Sequence, residues 1–244
     1  MSNTIAAAIN EIATIASLTT NTTYASSSVA INWSQASQTA RINMLKEFIQ
    51  YGDHLAYVHP DTGVLWLIDT LTGITPAIDG ATSADFSNYA IKSIKAETQG
   101  KTIGKIVADL TIKELSRPSN GRPSLKDIPI RLSLATDYPS QDEYKINVKS
   151  KPTLLSGSDI IYSYTDINTV LARKKSMYQS KMITIEYAGF FELQWGQRLT
   201  FDNTHDNDVI KSLTGSGSMT VLDPGYDPAK MTMTIKGIGS FSES

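Results

Sequence analysis

The sequence has no cysteine, which removes disulfide bridges, thiolate zinc sites and cysteine nucleophiles together. Charged residues are sparse at 19%, and the formal net charge is only -2, so no global electrostatic pull on nucleic acid is expected. Long apolar runs are missing too: no stretch approaches the ~20 residues that span a bilayer. The N-terminus shows neither a basic region nor a continuous apolar segment, so no signal peptide is expected.

Ser, Thr and Asn fill the space left by the missing charge, a mix that suits β-rich proteins with solvated turns. The length, 244 residues, allows one large β domain or two smaller ones. Charge is unevenly placed. Before Lys92 the basic side chains are Arg41 and Lys46, set against Glu11, Glu47, Asp53, Asp61, Asp69, Asp79 and Asp85. The segment from Lys92 to Lys151 leans basic.

Ile5, Ile9, Ile12 and Ala16 form one narrow stripe at helical spacing. The polar run from Thr19 to Ser28 reads as a linker or extended arm. A second helix is expected from about Ser34 to Tyr51, with Ala40, Met44, Phe48 and Tyr51 buried and Gly52 at C′. Leu55–His59 and Val64–Asp69, joined by Pro60-Asp61-Thr62-Gly63, read as a hairpin. Val64–Ile68 is apolar on both faces, as in a central strand. Further strands are expected at Tyr89–Ala96, Ile128–Ala135, Tyr144–Lys149 and Ile160–Tyr164, while Lys105–Leu115 fits strand or helix.

The densest pattern runs from Thr165 to Asp202. Thr165 or Asp166 can cap a helix carrying Ile167, Val170, Leu171 and Met177 on one face. Arg173, Lys174, Lys175 and Lys181 crowd its second half, where the helix dipole favours cations. Ile183, Ile185 and Tyr187 then alternate at period two. A turn at Ala188-Gly189 would return the chain through Phe191, Leu193 and Trp195, all facing the core. Strands at Met219–Leu222 and Met231–Lys236 close the sequence, joined through Asp223–Pro228. Residues 40–69 and 172–202 share an element order, a faint internal echo. The expected organisation is an N-terminal helix and arm (1–33), a helix-plus-hairpin module (34–78) and a β-rich region with one helix near 165–181 (79–244). The fold class is α+β, mainly β, with antiparallel sheets or barrel-like domains and two or three short helices.

Chemistry is thinly represented. Gly100-Lys101-Thr102 lacks the earlier glycine of a phosphate loop, Lys95 standing in its place. His54 and His59 lie five apart on a presumed strand and face opposite sides, leaving His205 without companions for a zinc site. The Asp202–Asp208 loop lacks the ligand alternation and glycine of an EF-hand. Gly215-Ser216-Gly217-Ser218 reads as a flexible turn with no partner base. Lys92, Lys95, Lys101 and Lys105 sit among Glu97 and Asp109, as on a solvated face. No catalytic, cofactor or metal residues are therefore assigned.

Two regions carry a resemblance. ARINMLKEFIQYGDHLAYVHPDTGVLWLIDTLTG, residues 40–73, is similar to a helix-plus-hairpin module of the hub proteins at the distal end of tailed-bacteriophage tails. Within 127–238, DIPIRLSLATDYPSQDEYKI, TVLARKKSMYQSKMITIEYAGFFELQWGQRLTF and MTVLDPGYDPAKMTMTIKG resemble successive strand, helix–strand and closing-strand segments of such hubs. Gln197 departs from the Asp common at its place. The resemblance implies a tail-tube-like fold and a non-enzymatic virion part of the tail tip or baseplate hub, joining tail tube to spike and assembled in the host cytoplasm. It implies no cofactor, membrane or sequence-specific nucleic acid. Its partners would be other tail and baseplate proteins and itself, as a ring, a trimer favoured over a hexamer. The apolar stripe Ile5, Ile9 and Ile12 is the candidate oligomer interface. One alternative is a receptor- or glycan-binding β-sandwich module using Tyr24, Trp33 and Tyr226. Another is a tail-associated glycan hydrolase, which needs two convergent carboxylates.

With no closed metal site to assemble, EDTA is expected to leave the melting temperature unchanged. A fall would point to the Asp202–Asp208 loop.

Overall fold

β-Branched and aromatic residues at period two make most of this chain strand. A computed structural model describes residues 3–26, 30–34, 41–98, 103–116, 124–147, 159–161, 164–202 and 215–243. In chain order the elements are β1 (Asn3–Thr4), α1 (Ile5–Ile15), β2 (Thr20–Tyr24), β3 (Ala30–Ser34), α2 (Arg41–Tyr51), β4 (His54–Val58), β5 (Leu65–Asp69) and β6 (Ile74–Asp79). A 3-10 turn (Asn88–Ala90), β7 (Ile91–Thr98), β8 (Ile103–Ser116), β9 (Ser124–Ala135), β10 (Asp142–Asn147) and β11 (Asp159–Ile161) follow. The chain continues with α3 (Tyr164–Gln179), β12 (Lys181–Ala188), β13 (Gln197–Asp202), β14 (Gly215–Asp227) and β15 (Thr232–Glu243). The class is α+β and mainly β, as expected. Three ladders, β2–β5, β6–β13 and β8–β10, are parallel. No sheet among the described residues closes into a barrel.

The chain forms two compact units, each built from three separate stretches. The first takes Met1–Leu18, Ser27–Gly52 and Lys101–Lys175; the second takes Thr19–Ser26, Asp53–Gly100 and Ser176–Ser244.

In the first unit, Thr4 caps α1 by accepting a bond from the Ala7 N–H at 3.1 Å. Ile5, Ala8, Ile9, Ile12 and Ala13 are buried, on the i, i+3, i+4, i+7 stripe that the sequence shows. The helix packs on α2, β1 and β3. In α3, Ile167, Val170 and Leu171 are buried, and so is Arg173. The α3 cations serve another helix: Arg173 Nε donates to Gly52 O at 2.7 Å and Lys174 Nζ to Gln50 O at 3.1 Å. Those carbonyls lie at the C-terminal end of α2, where backbone acceptors lack intrahelical partners and the dipole is negative. Strands β10, β8 and β9 form a separate sheet, in that order.

The second unit holds a six-stranded sheet ordered β6-β13-β14-β15-β12-β7 and a smaller one ordered β2-β5-β4. Phe86, Ile183, Ile185, Tyr187, Phe191, Leu199, Phe201 and Met233 belong to one core cluster of this unit. The β4–β5 hairpin forms as expected, with Gly63 at φ 65. β5 is central because β2 pairs with it on the other side.

Several expectations are corrected. The 19–28 run is no free arm: Thr20–Tyr24 is a strand, since Thr and Tyr favour the pleat even in polar company. Asp53, at φ 51, and not Gly52, takes the left-handed position after α2. β6 escaped the reading because Pro76 interrupts its strand pattern. Gly215–Ser218 and Asp223–Asp227 are strand rather than turn: β14 is 13 residues long, with a bulge between Val221 and Asp223, and it turns only after Asp227. The 40–69 and 172–202 echo is one of order alone, because β4 and β5 pair together whereas β12 pairs with β15 and β7.

The largest correction is the Ile183–Trp195 hairpin. Residues 190–194 form no strand, and β12 finds its neighbours in β15 and β7. Phe191 is buried, Leu193 half-buried and Trp195 48% exposed. Phe191→Ala is therefore expected to cost about 3–5 kcal/mol, and Trp195→Ala only about 1 kcal/mol, the value of one edge-on aromatic contact. Urea unfolding of both variants checks this order.

Candidate functional site

Trp195 is a large aromatic side chain left 48% exposed. Trp195 sits on an irregular segment held at both ends. Gly189 N–H donates to Met231 O at 2.9 Å, and Gly196 N–H donates to Val221 O at 2.8 Å. Gly196 O accepts from Ile74 N–H at 2.7 Å. Gly196 has φ +79, and a Cβ there would collide with Ile68, so this position requires glycine. Glu192 and Gln194 project from the same segment and are exposed.

Facing it is the β4 hairpin. Tyr57 is paired directly with Trp66 across β4–β5. The rings continue into one another: Tyr24 stacks on Trp66 at 5.9 Å, His59 lies 5.2 Å from Trp66, and Tyr57 meets Trp195 edge-on at 5.7 Å. Between hairpin and segment lies a cleft of about 440 Å³, lined by residues 57–61 and 192–195. Two polar atoms beside it, Tyr57 Oη and His59 Nδ1, are buried and have no hydrogen-bond partner among the described residues. Burial raises the Tyr57 pKa above the ordinary phenol value.

A second cleft, about 420 Å³, is lined among others by Lys181, Arg198, Ser180 and Ser240. Its cations are already engaged. Arg198 donates to Leu71 O and Thr220 Oγ1 at 3.1 Å and to Ser218 Oγ at 2.5 Å. Lys181 Nζ donates to Phe241 O at 2.8 Å. Burial lowers the Arg198 pKa. These bonds tie strands together, a structural role.

The residues singled out from sequence fall elsewhere. Ile5, Ile9 and Ile12 are buried inside the first unit. His54 is buried, its Nε2 accepting from Ser26 N–H at 2.9 Å. His205 and most of the Asp202–Asp208 loop lie outside the described residues, as do Gly100, Lys101 and Thr102. Among the described residues no three His, Asp or Glu side chains are placed to hold a metal. Tyr24 belongs to the aromatic array, Tyr226 pairs with Phe190, and the Trp33 side chain lies outside the description. Sequence reading missed Tyr57, Glu192 and the exposure of Trp195. The available signal was Gly189 and Gly196 bracketing a run with no β-branched residue.

With this geometry in hand, the fold has counterparts among solved structures. The structural neighbours are proteins of virion-like particles and phage tails. One is a chain from the virion of a native gene transfer agent particle, with a TM-score of 0.50 and 9% identity, over 98% of this chain and 48% of that one. Another is a tail protein from Neisseria meningitidis MC58, with a TM-score of 0.50 and 10% identity, over 98% of this chain and 67% of that one. The chain thus spans about half the length of the first and two thirds of the second. No protein-family model matches the sequence, and no curated protein matches it.

Removing the unpartnered hydroxyl with Tyr57→Phe is expected to leave stability unchanged or raise it by about 1 kcal/mol. Because the folded-state pKa is raised, the parent loses stability as pH climbs past the ordinary phenol value and through the folded one. The variant should lose less over that range. Chemical denaturation at neutral and alkaline pH measures both effects.

Proposed function

We propose that this chain is a non-enzymatic structural component of a bacteriophage tail or tail-like particle, placed at the tail tip or baseplate hub. The observation that carries the reading is fold likeness over nearly the whole chain to a gene transfer agent virion chain and a tail protein. The helix-plus-hairpin and closing-strand segments that resemble tail hubs support the finer placement.

A surface feature supports assembly. Phe190, Tyr226 and Met231 are 64%, 44% and 68% exposed. Phe190 and Tyr226 meet edge-on at 5.0 Å, and Gly189 N–H bonds Met231 O, so the three gather near the β14–β15 turn. Exposed aromatics and methionine in one patch suit a contact with another tail subunit. We assign the contact to this patch in preference to the α1 stripe, which is covered within the chain. β6 and β7 end their sheet among the described residues, and a ring of copies would cover such edges. A trimeric ring in the tail is the expected state, built in the host cytoplasm.

Native mass spectrometry of the full chain, alone and mixed with tail proteins from its own particle, tests this. Oligomers or tail complexes are expected. Phe190→Glu with Met231→Glu should weaken them about tenfold or more without lowering the melting temperature. A chain that stays monomeric at high concentration and joins no tail protein would overturn the reading.

A further inference from the structure

The assembly role leaves the aromatic cleft unexplained. Trp195, 48% exposed, stands over a concave surface and offers a flat apolar platform to a ligand. The cleft's size is within the range of small-molecule sites.

Its chemistry narrows the occupant. Asp61 and Glu192 line it, and no Lys or Arg does. An anionic ligand, such as a phosphate, a sialylated glycan or a nucleic acid, would be repelled. Carboxylates are acceptors only, and the Gln194 amide can both accept and donate. The lining therefore asks for a ligand with many donors at its edge. The indole of Trp195 and the ring of Tyr57 ask for an apolar face. A pyranose has both, with C–H bonds across one face and hydroxyls around its rim. A peptide strand fits less well, because the polar side chains lining the cleft include those of Asp61, Glu192 and Gln194, and only Tyr57 and Val58 of β4 reach it, too short an edge to offer a row of backbone donors and acceptors.

We propose that the cleft between the β4 hairpin and residues 192–195 binds an uncharged pyranose unit of a glycan, with the sugar face on Trp195 and its hydroxyls on Glu192. Asp61 and Gln194 complete the polar rim. The site lies within the second unit and does not depend on the assembly reading.

The test uses the full chain. An array of bacterial surface glycans is screened, and hits are titrated by tryptophan fluorescence and calorimetry. Sialyllactose and a proline-rich peptide serve as comparison ligands. Neutral glycans are expected to bind, with Trp195→Ala weakening them about tenfold or more and Glu192→Lys acting in the same direction. Both residues are exposed enough for the variants to fold, which melting curves establish. The proposal fails if no neutral glycan on the array binds. It fails equally if binding survives both substitutions, or if the peptide or sialyllactose binds better than any neutral sugar. Oligomeric state is read separately by native mass spectrometry, so a failed assembly role and a failed sugar site give different results.

Discussion

One residue, Gly196, holds the second unit's irregular parts in place. Its N–H reaches Val221 in β14, its carbonyl accepts from Ile74 in β6, and its bare Cα lies against Ile68 of β5. The chain must enter β13 through this point. What comes just before it, Trp195, is half-exposed and meets Tyr57 edge-on. What comes after, Leu199 and Phe201, runs into the core of the six-stranded sheet. A left-handed φ at one residue therefore separates a segment that faces solvent from a strand that does not.

Much of the fold was legible because periodicity is a direct print of burial. Ile183, Ile185 and Tyr187 alternate and are buried; Ile5, Ile9 and Ile12 recur at helical spacing and are buried. The β4–β5 turn was legible because proline and glycine leave little conformational choice. The failures have one physical source. Phe191, Leu193 and Trp195 also alternate, but alternation says nothing about which strand will pair. β12 had better partners available, in β15 at full register and in β7. Partner choice depends on residues far away in sequence, and no local window contains it. The length of β14 was lost for a related reason: Pro224 and Gly225 look like a turn, yet they sit opposite Ile235 and Thr234 beyond a bulge.

The cleft was less legible still. Tyr57 and His59 come from a hairpin, Glu192 and Trp195 from a segment 130 or so residues later, and neither stretch carries a recognisable motif. The cations of α3 teach the same point from the other side. Their position suggested service to their own helix dipole, but Arg173 and Lys174 bond the carbonyl end of α2. Sequence names the charge; only the packed chain names its partner.

The chain crosses between its two units five times, after Leu18, Ser26, Gly52, Gly100 and Lys175. No single stretch of the gene encodes either one. Recombination that swaps a contiguous block would deliver parts of both, and β2, the briefest visit to the second unit, would travel away from the β5 strand it pairs with. A protein laid out in this way is inherited whole.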